Sequence, residues 1–422
     1  MFLSLTSIVK IKEFFSSYFS ASQDTLETTE KLSISDGAFW AVYSAMTSTF
    51  IVPLSLIFLG NQAPIGYIIG LPVFLVPFAQ YSARRLSRKV ADLKGLTIYL
   101  TLLDRILWVP VVLLVFVHGY YFRFSLLIVL LSMRTYFASF SGTTWALWIP
   151  SVVPPEHRAT YFSRRNLVMK LFSVFGYLFA LGIFLKIKPE IIALITVFLL
   201  GSLLFSTLSL VIMTRIPKFS LEESQRENRT GLNNQVLSFL FFSALWYFGI
   251  SLVGPYFQLL IVSPYFFGEK QTFYTIVFLF MSISSILTQL FWGKISAKTD
   301  HMTVIYISSI IYITATASIL FVRNPFFILI PAIMFGISQS GSTLSVFNEM
   351  ISRSVKSRIS SISAYNLVQS LFSAAGPITA NIIFDLTHFN ISIVFLTSIL
   401  FVIISVTTLK ILDSTLIKHR SV

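Results

Sequence analysis

Long apolar stretches alternate with short polar gaps along the whole chain, without the period-2 alternation of strands. About 20 mostly apolar residues are needed to cross a bilayer as a helix. On that criterion spans are expected at 37–60, 63–82, 95–118, 122–149, 164–186, 190–213, 235–262, 271–292, 302–322, 325–348, 359–385 and 389–412. The longest polar gap, residues 214–235, divides six spans from six. The expected architecture is all-α and polytopic, about twelve transmembrane helices in two six-helix bundles. Its parts are an N-terminal tail (1–36), a first bundle (37–213), a linker (214–234), a second bundle (235–412) and a C-terminal tail (413–422). Residues 2–19 read either as an amphipathic helix lying on the membrane surface or as a poorly ordered tail.

Composition agrees with this pattern. Apolar residues make up 55% of the chain and charged residues 11%, against about 25% charged in soluble domains. There is no cysteine, and the five histidines lack ligand spacing, so no metal or cofactor is expected. The net charge of +14 lies mostly in alternate loops. With both termini cytoplasmic, 23 Lys and Arg residues fall on that side and five on the other. Positive charge so placed orients the chain and meets anionic lipid headgroups; it does not call for nucleic acid. A multi-pass protein of the cell membrane follows as the expectation.

The halves repeat each other at an offset of 200 residues. Arg158 meets Arg358, Asn166-Leu167-Val168 meets Asn366-Leu367-Val368, Leu171-Phe172-Ser173 meets Leu371-Phe372-Ser373, Gly176 meets Gly376, and Ile183-Phe184 meets Ile383-Phe384. Six spans separate the copies, so both enter the membrane in the same sense, as a parallel repeat.

Two such halves joined by a charged loop resemble the major facilitator superfamily. Segment 142–166 is similar to that family's passage from helix four into helix five, through Pro154, Pro155, Glu156, Arg158, Phe162, Arg164 and Arg165. Glu349, Arg358, Asn366, Gly376, Pro377 and Asp385 match the corresponding pattern in the second half. After helix two, Gln80, Arg84 and Ser87 replace the family's Gly, Asp and Gly, while Arg85 and Arg88 are kept; in the second half Gly293 and Lys298 are kept and Ala297 takes the acid position. The resemblance implies gating roles for Arg85, Arg88, Arg158, Gly293, Lys298 and Arg358. With the acid missing from both copies, either other residues hold these loops or the gating equilibrium differs. Helix five has only Gly176 and Gly182 of the pattern found in many antiporters.

Charges inside spans are expensive and mark functional or paired positions. Arg134 and Asp104 lie at comparable depth and could pair; Arg105, about 100° around the helix from Asp104, faces elsewhere. Lys170 could snorkel to the cytoplasm. Arg134 is a candidate for binding an anionic solute and Asp104 for carrying a coupling proton; a purely structural pair is the alternative. The resemblance implies a cavity lined by helices one, four, seven and ten. That makes Trp40, Tyr43, Trp145, Trp246, Tyr247, Gln339 and Asn348 candidate solute contacts, although hydroxyl and aromatic side chains also serve packing and interfaces.

No P-loop, HExxH or GxSxG motif is present, and no enzymatic activity is expected. The expected function is secondary transport of a small organic solute, amphipathic or anionic, by alternating access, with proton coupling an option and export preferred over import. A uniporter, an uptake symporter and a transport-inactive receptor or scaffold stay open. The expected partners are the solute, the bilayer and, in a coupled cycle, protons, with a monomeric chain and no nucleic acid.

Overall fold

The structure is a computed structural model that describes residues 25–418, apart from 61–62, 88, 91, 154, 217–232 and 355–357. The expected surface helix at 2–19 and most of the linker lie outside the described residues. Twelve helices are long and apolar enough to cross a membrane. In the first half they are α1 (Glu27–Leu59), α2 (Ile65–Ser87), α3 (Leu93–Phe116), α4 (Tyr120–Ile149), α5 (Thr160–Lys186) and α6 (Glu190–Arg215). In the second half they are α7 (Asn234–Val262), α8 (Gln271–Ser296), α9 (His301–Ile319), α10 (Pro325–Arg353), α11 (Ser360–Leu386) and α12 (Ile391–Leu412). No strand occurs among the described residues. Several helices start on side chains that take up the orphan N–H groups of the first turn: Asp92 accepts from the Gly95 N–H at 2.9 Å, Asn233 from Val236 at 2.7 Å and Asp300 from Thr303 at 2.7 Å.

The first helix begins earlier than hydropathy suggests, at Thr25 rather than 37. Its polar opening turns are satisfied as helix. Lys31 pairs with Glu27 one turn back at 2.7 Å, Ser33 shares a hydrogen bond with Tyr161 at 2.6 Å, and Asp36 accepts one from Ser209 at 2.5 Å. A window that weighs only apolarity cannot see partners supplied by α5 and α6.

The packing follows the repeat. In the first half α1 packs on α5 and α6, α3 on α4, and α2 on α4; in the second, α7 packs on α11 and α12, α9 on α10, and α8 on α10. Each pairing recurs with six added to both helix numbers. The seams between the halves obey the same rule, α2 against α11 and α8 against α5. Residue-level equivalence holds too: α5 and α11 share bounds shifted by 200 residues. Gly176 lets α5 approach Val42 and Ala45 of α1, as Gly376 lets α11 approach Phe248 and Ser251 of α7. Close approach through small residues is how helices associate where apolar burial alone drives little.

Candidate functional site

Cross-half contacts differ between the two ends of the seams. At the end away from the basic loops, the Gly66 N–H of α2 donates to Asn381 Oδ1 of α11 at 3.1 Å, and Asn381 donates in turn to Asp385 at 2.8 Å. Nothing larger than glycine fits at 66, where a Cβ would overlap the Pro377 carbonyl. On the other seam the Tyr274 hydroxyl of α8 lies 2.5 Å from the Thr49 carbonyl oxygen of α1 and 2.8 Å from Gln258 Oε1, one of which takes its proton. Tyr177 of α5 joins Thr49 at 3.0 Å.

Toward the basic loops, α5 and α8 still meet where Lys170 Nζ approaches Ser285 Oγ at 3.5 Å. Beyond that, Ser163, Asn166 and Leu167 on the same side of α5 are exposed. The α2–α11 seam keeps a surface clasp there: Arg84 of α2 donates to Ser363 Oγ of α11 at 2.6 Å. Arg84 occupies the position where the resembled family has an acid.

The expected solute contacts divide. α10 packs on α8 and α9 through Gly336, Ser338 and Gly341, and its opposite face exposes Gln339, Thr343 and Phe347. Trp40 of α1 is 42% exposed, and Trp145, Tyr247 and Asn348 are partly buried. Tyr43 and Trp246 are not brought to the opening. They are 2% and 3% exposed and hydrogen-bonded inside their own halves, Trp246 to Ser309 of α9 at 3.3 Å. Spacing along a helix assigns no face when polar residues surround it. Tyr247 bonds Tyr365 of α11 at 2.6 Å.

The first half holds a buried polar network. Arg134 Nε lies 3.0 Å from Asp104 Oδ1, with side chains 13% and 7% exposed. Tyr43 donates to the other Asp104 oxygen at 3.2 Å and accepts from Trp108 Nε1 at 2.7 Å. The Arg134 guanidinium also stands 4.5 Å over the Trp108 ring, a cation–π contact. Arg105 turns the other way, to the Ser206 carbonyl and, at 2.9 Å, to Ser209 Oγ. Ser209 carries the chain on to Asp36, whose other oxygen is 4.0 Å from Arg165. Arg165 lies over Trp145 at 4.2 Å. Asp36 was missed in the sequence because it sits in the polar run assigned to the tail. Its signal was Gly37, whose missing side chain leaves room for the Arg165 guanidinium.

Of the expected gating residues, Arg158 donates to the Val153 carbonyl at 3.0 Å, closing the end of α4. Arg85, Gly293 and Lys298 are exposed at helix ends. The Arg358 backbone is helical, while its side chain and Arg88 lie outside the described residues. Among the described residues no group of His, Asp or Glu could hold a metal ion.

Comparison with known proteins fits this geometry. The profile of the Major Facilitator Superfamily matches residues 32–377. A mutant of the nucleoside transporter NupG superposes with a TM-score of 0.70 at 12% identity, covering 92% of this chain and 100% of that one. A bacterial homologue of the iron transporter ferroportin in an inward-facing state gives 0.67 at 11% identity, covering 92% and 98%. A bacterial homologue of the human lysosomal transporter Spinster, inward-facing and unoccupied, gives 0.65 at 13%, covering 94% and 99%. No curated protein matches the sequence. The fold, its parallel repeat and the profile match agree: this chain is a multi-pass membrane protein of the major facilitator superfamily.

Proposed function

We propose that this transporter moves a small organic solute, amphipathic or anionic, by rocking its two halves about the opening between them. The observation that carries the reading is the asymmetry of the seams. Backbone and side-chain contacts lock α2 to α11 and α8 to α1 at one end, while α5 leaves α8 beyond Lys170 at the other. A parallel repeat has the symmetry needed for the opposite arrangement. On the reading that the basic loops are cytoplasmic, the less contacted end and both termini would face the cytoplasm, and the state would correspond to the inward-facing one printed for the ferroportin and Spinster homologues. Trp40, Trp145, Tyr247, Gln339 and Asn348 would offer aromatic walls with a few polar contacts, which suits an organic solute.

Asp104 and Arg134 neutralise each other, which supports a structural pair. A proton on Asp104 would release Arg134 toward Trp108 and Tyr43, and coupling through this pair is the form a proton-driven cycle would take. The test is reconstitution. A thermal-shift screen against metabolites identifies a ligand, which is then assayed for flux in proteoliposomes. Flux that collapses with a protonophore means coupling, flux indifferent to it means a uniporter, and ligand binding without flux refutes transport.

A further inference from the structure

Three cations lie within the spans at depth: Arg105, Arg134 and Lys170. Two are committed. Arg134 is paired with Asp104, and Arg105 is held by Ser206 and Ser209. Lys170 differs. No carboxylate pairs with it among the described residues, and its hydrogen-bond partner is the Ser285 hydroxyl at the long distance of 3.5 Å. It lies ten residues into α5 from Thr160, about 15 Å along the helix. It also sits on the moving seam. The α5 face that carries Lys170 runs on to Tyr177, which touches Ser282 of α8, and back to exposed Asn166 and Ser163 at the less contacted end. The facing stripe of α8 is polar: Ser282, Ser285 and Gln289 follow one another a turn apart, and Gln289 Oε1 is buried without a hydrogen-bond partner.

We propose that Lys170, with Ser285 and Gln289, binds the anionic group of the transported solute, a carboxylate or phosphate; the proposal rests on the alternating-access reading. An ammonium at this depth is tolerated while the seam is open to water. Sealing the seam over an empty site would strip the ammonium of water with nothing to replace it. A bound anion neutralises Lys170, accepts a second hydrogen bond from the Ser285 hydroxyl, and leaves the Gln289 amide oxygen to accept one from a hydroxyl of the solute. Occupancy then favours closure of the basic end, so the same lysine that selects an anion also ties its transport to the conformational change. This moves the anion site from Arg134, which Asp104 already occupies, to the seam.

The chain has no cysteine, so Ser285→Cys installs a single thiol beside the ammonium. The protein, in nanodiscs of neutral lipid, is reacted separately with the anionic ethylsulfonate and the cationic ethyltrimethylammonium methanethiosulfonates. Any effect of Lys170 on thiol ionisation multiplies both rates and cancels in their ratio. At about 4 Å in water a unit charge alters the local density of a monovalent ion about fivefold, upward for one sign and downward for the other. With salt screening, adding Lys170→Gln should lower the anion-to-cation ratio about tenfold, and Lys170→Arg should keep it. Asn166→Cys, one turn nearer the opening, gives the same comparison should Ser285→Cys fail to fold. Thiols that react with a ratio indifferent to Lys170 would overturn the anion site while leaving alternating access standing. Thiols at both positions that react with neither reagent would overturn both, because the crevice would then hold no water.

Discussion

Removing one side of the Asp104–Arg134 pair should be worse than removing both. Each side chain is nearly enclosed, at 7% and 13% exposure. Asp104→Ala leaves a guanidinium with the Trp108 face and no acid; Arg134→Ala leaves a carboxylate with the single Tyr43 hydroxyl, 3.2 Å away. Stranding a buried charge typically costs about 3–5 kcal/mol, whereas replacing both partners by apolar groups can be near neutral. The double mutant should therefore recover about 2 kcal/mol or more relative to the sum of the singles, a coupling of the size seen for residues in direct contact. Folded yield by fluorescence-detected size exclusion and melting of the purified protein in one detergent would measure it. Arg134→Lys adds a functional arm, since it keeps the charge and loses the planar fork; if the pair is structural, flux per folded molecule should match the parent. Additive losses across the cycle would refute the reasoning.

Gly66→Ala should disrupt the α2–α11 contact, because its Cβ would meet the Pro377 carbonyl; cysteine reporters at the far end should become more accessible, and unchanged accessibility would argue against a gate there. Arg84→Ala should loosen the clasp at the basic end, since it removes the donor to Ser363 Oγ, a bond worth about 0.5–1.5 kcal/mol; spin-label distances should shift toward a wider basic end about two- to tenfold in population. Asp300 caps α9, and its hydrogen bonds to Thr303 hold its carboxyl below the usual carboxylate range. A depressed folded pKa means the cap's contribution is present at neutral pH and is lost as pH falls through the acid range, so Asp300→Ala should lower melting at pH 7 and converge with the parent in acid. Labelling of Ser224→Cys from outside intact cells would contradict the cytoplasmic placement of the linker.

The fold was legible because a bilayer demands long apolar helices and because residues 158–184 share a run of identities with 358–384. The Asp104–Arg134 pair was legible from depth alone. Three things were not. Asp36 lay hidden because hydropathy discards polar residues that a neighbouring helix satisfies. The burial of Tyr43 and Trp246 inside their own halves was hidden because helices with polar residues all round give no face. The approach of Lys170 to Ser285 was hidden because its partner lies on α8, 115 residues away, which local sequence does not contain. Arg84, an apparent loss of the family's acid, turned out to hold Ser363 instead.

Two cross-half distances test alternating access most directly. Spin labels at Ser87 and Ser296 report the basic end, and labels at Lys186 and Gln271 report the other. With ligand from the thermal-shift screen, the first distance should shorten and the second lengthen in the same population of molecules. Distances that stay fixed at both ends, with and without ligand, would contradict a rocking transporter and describe a rigid membrane scaffold.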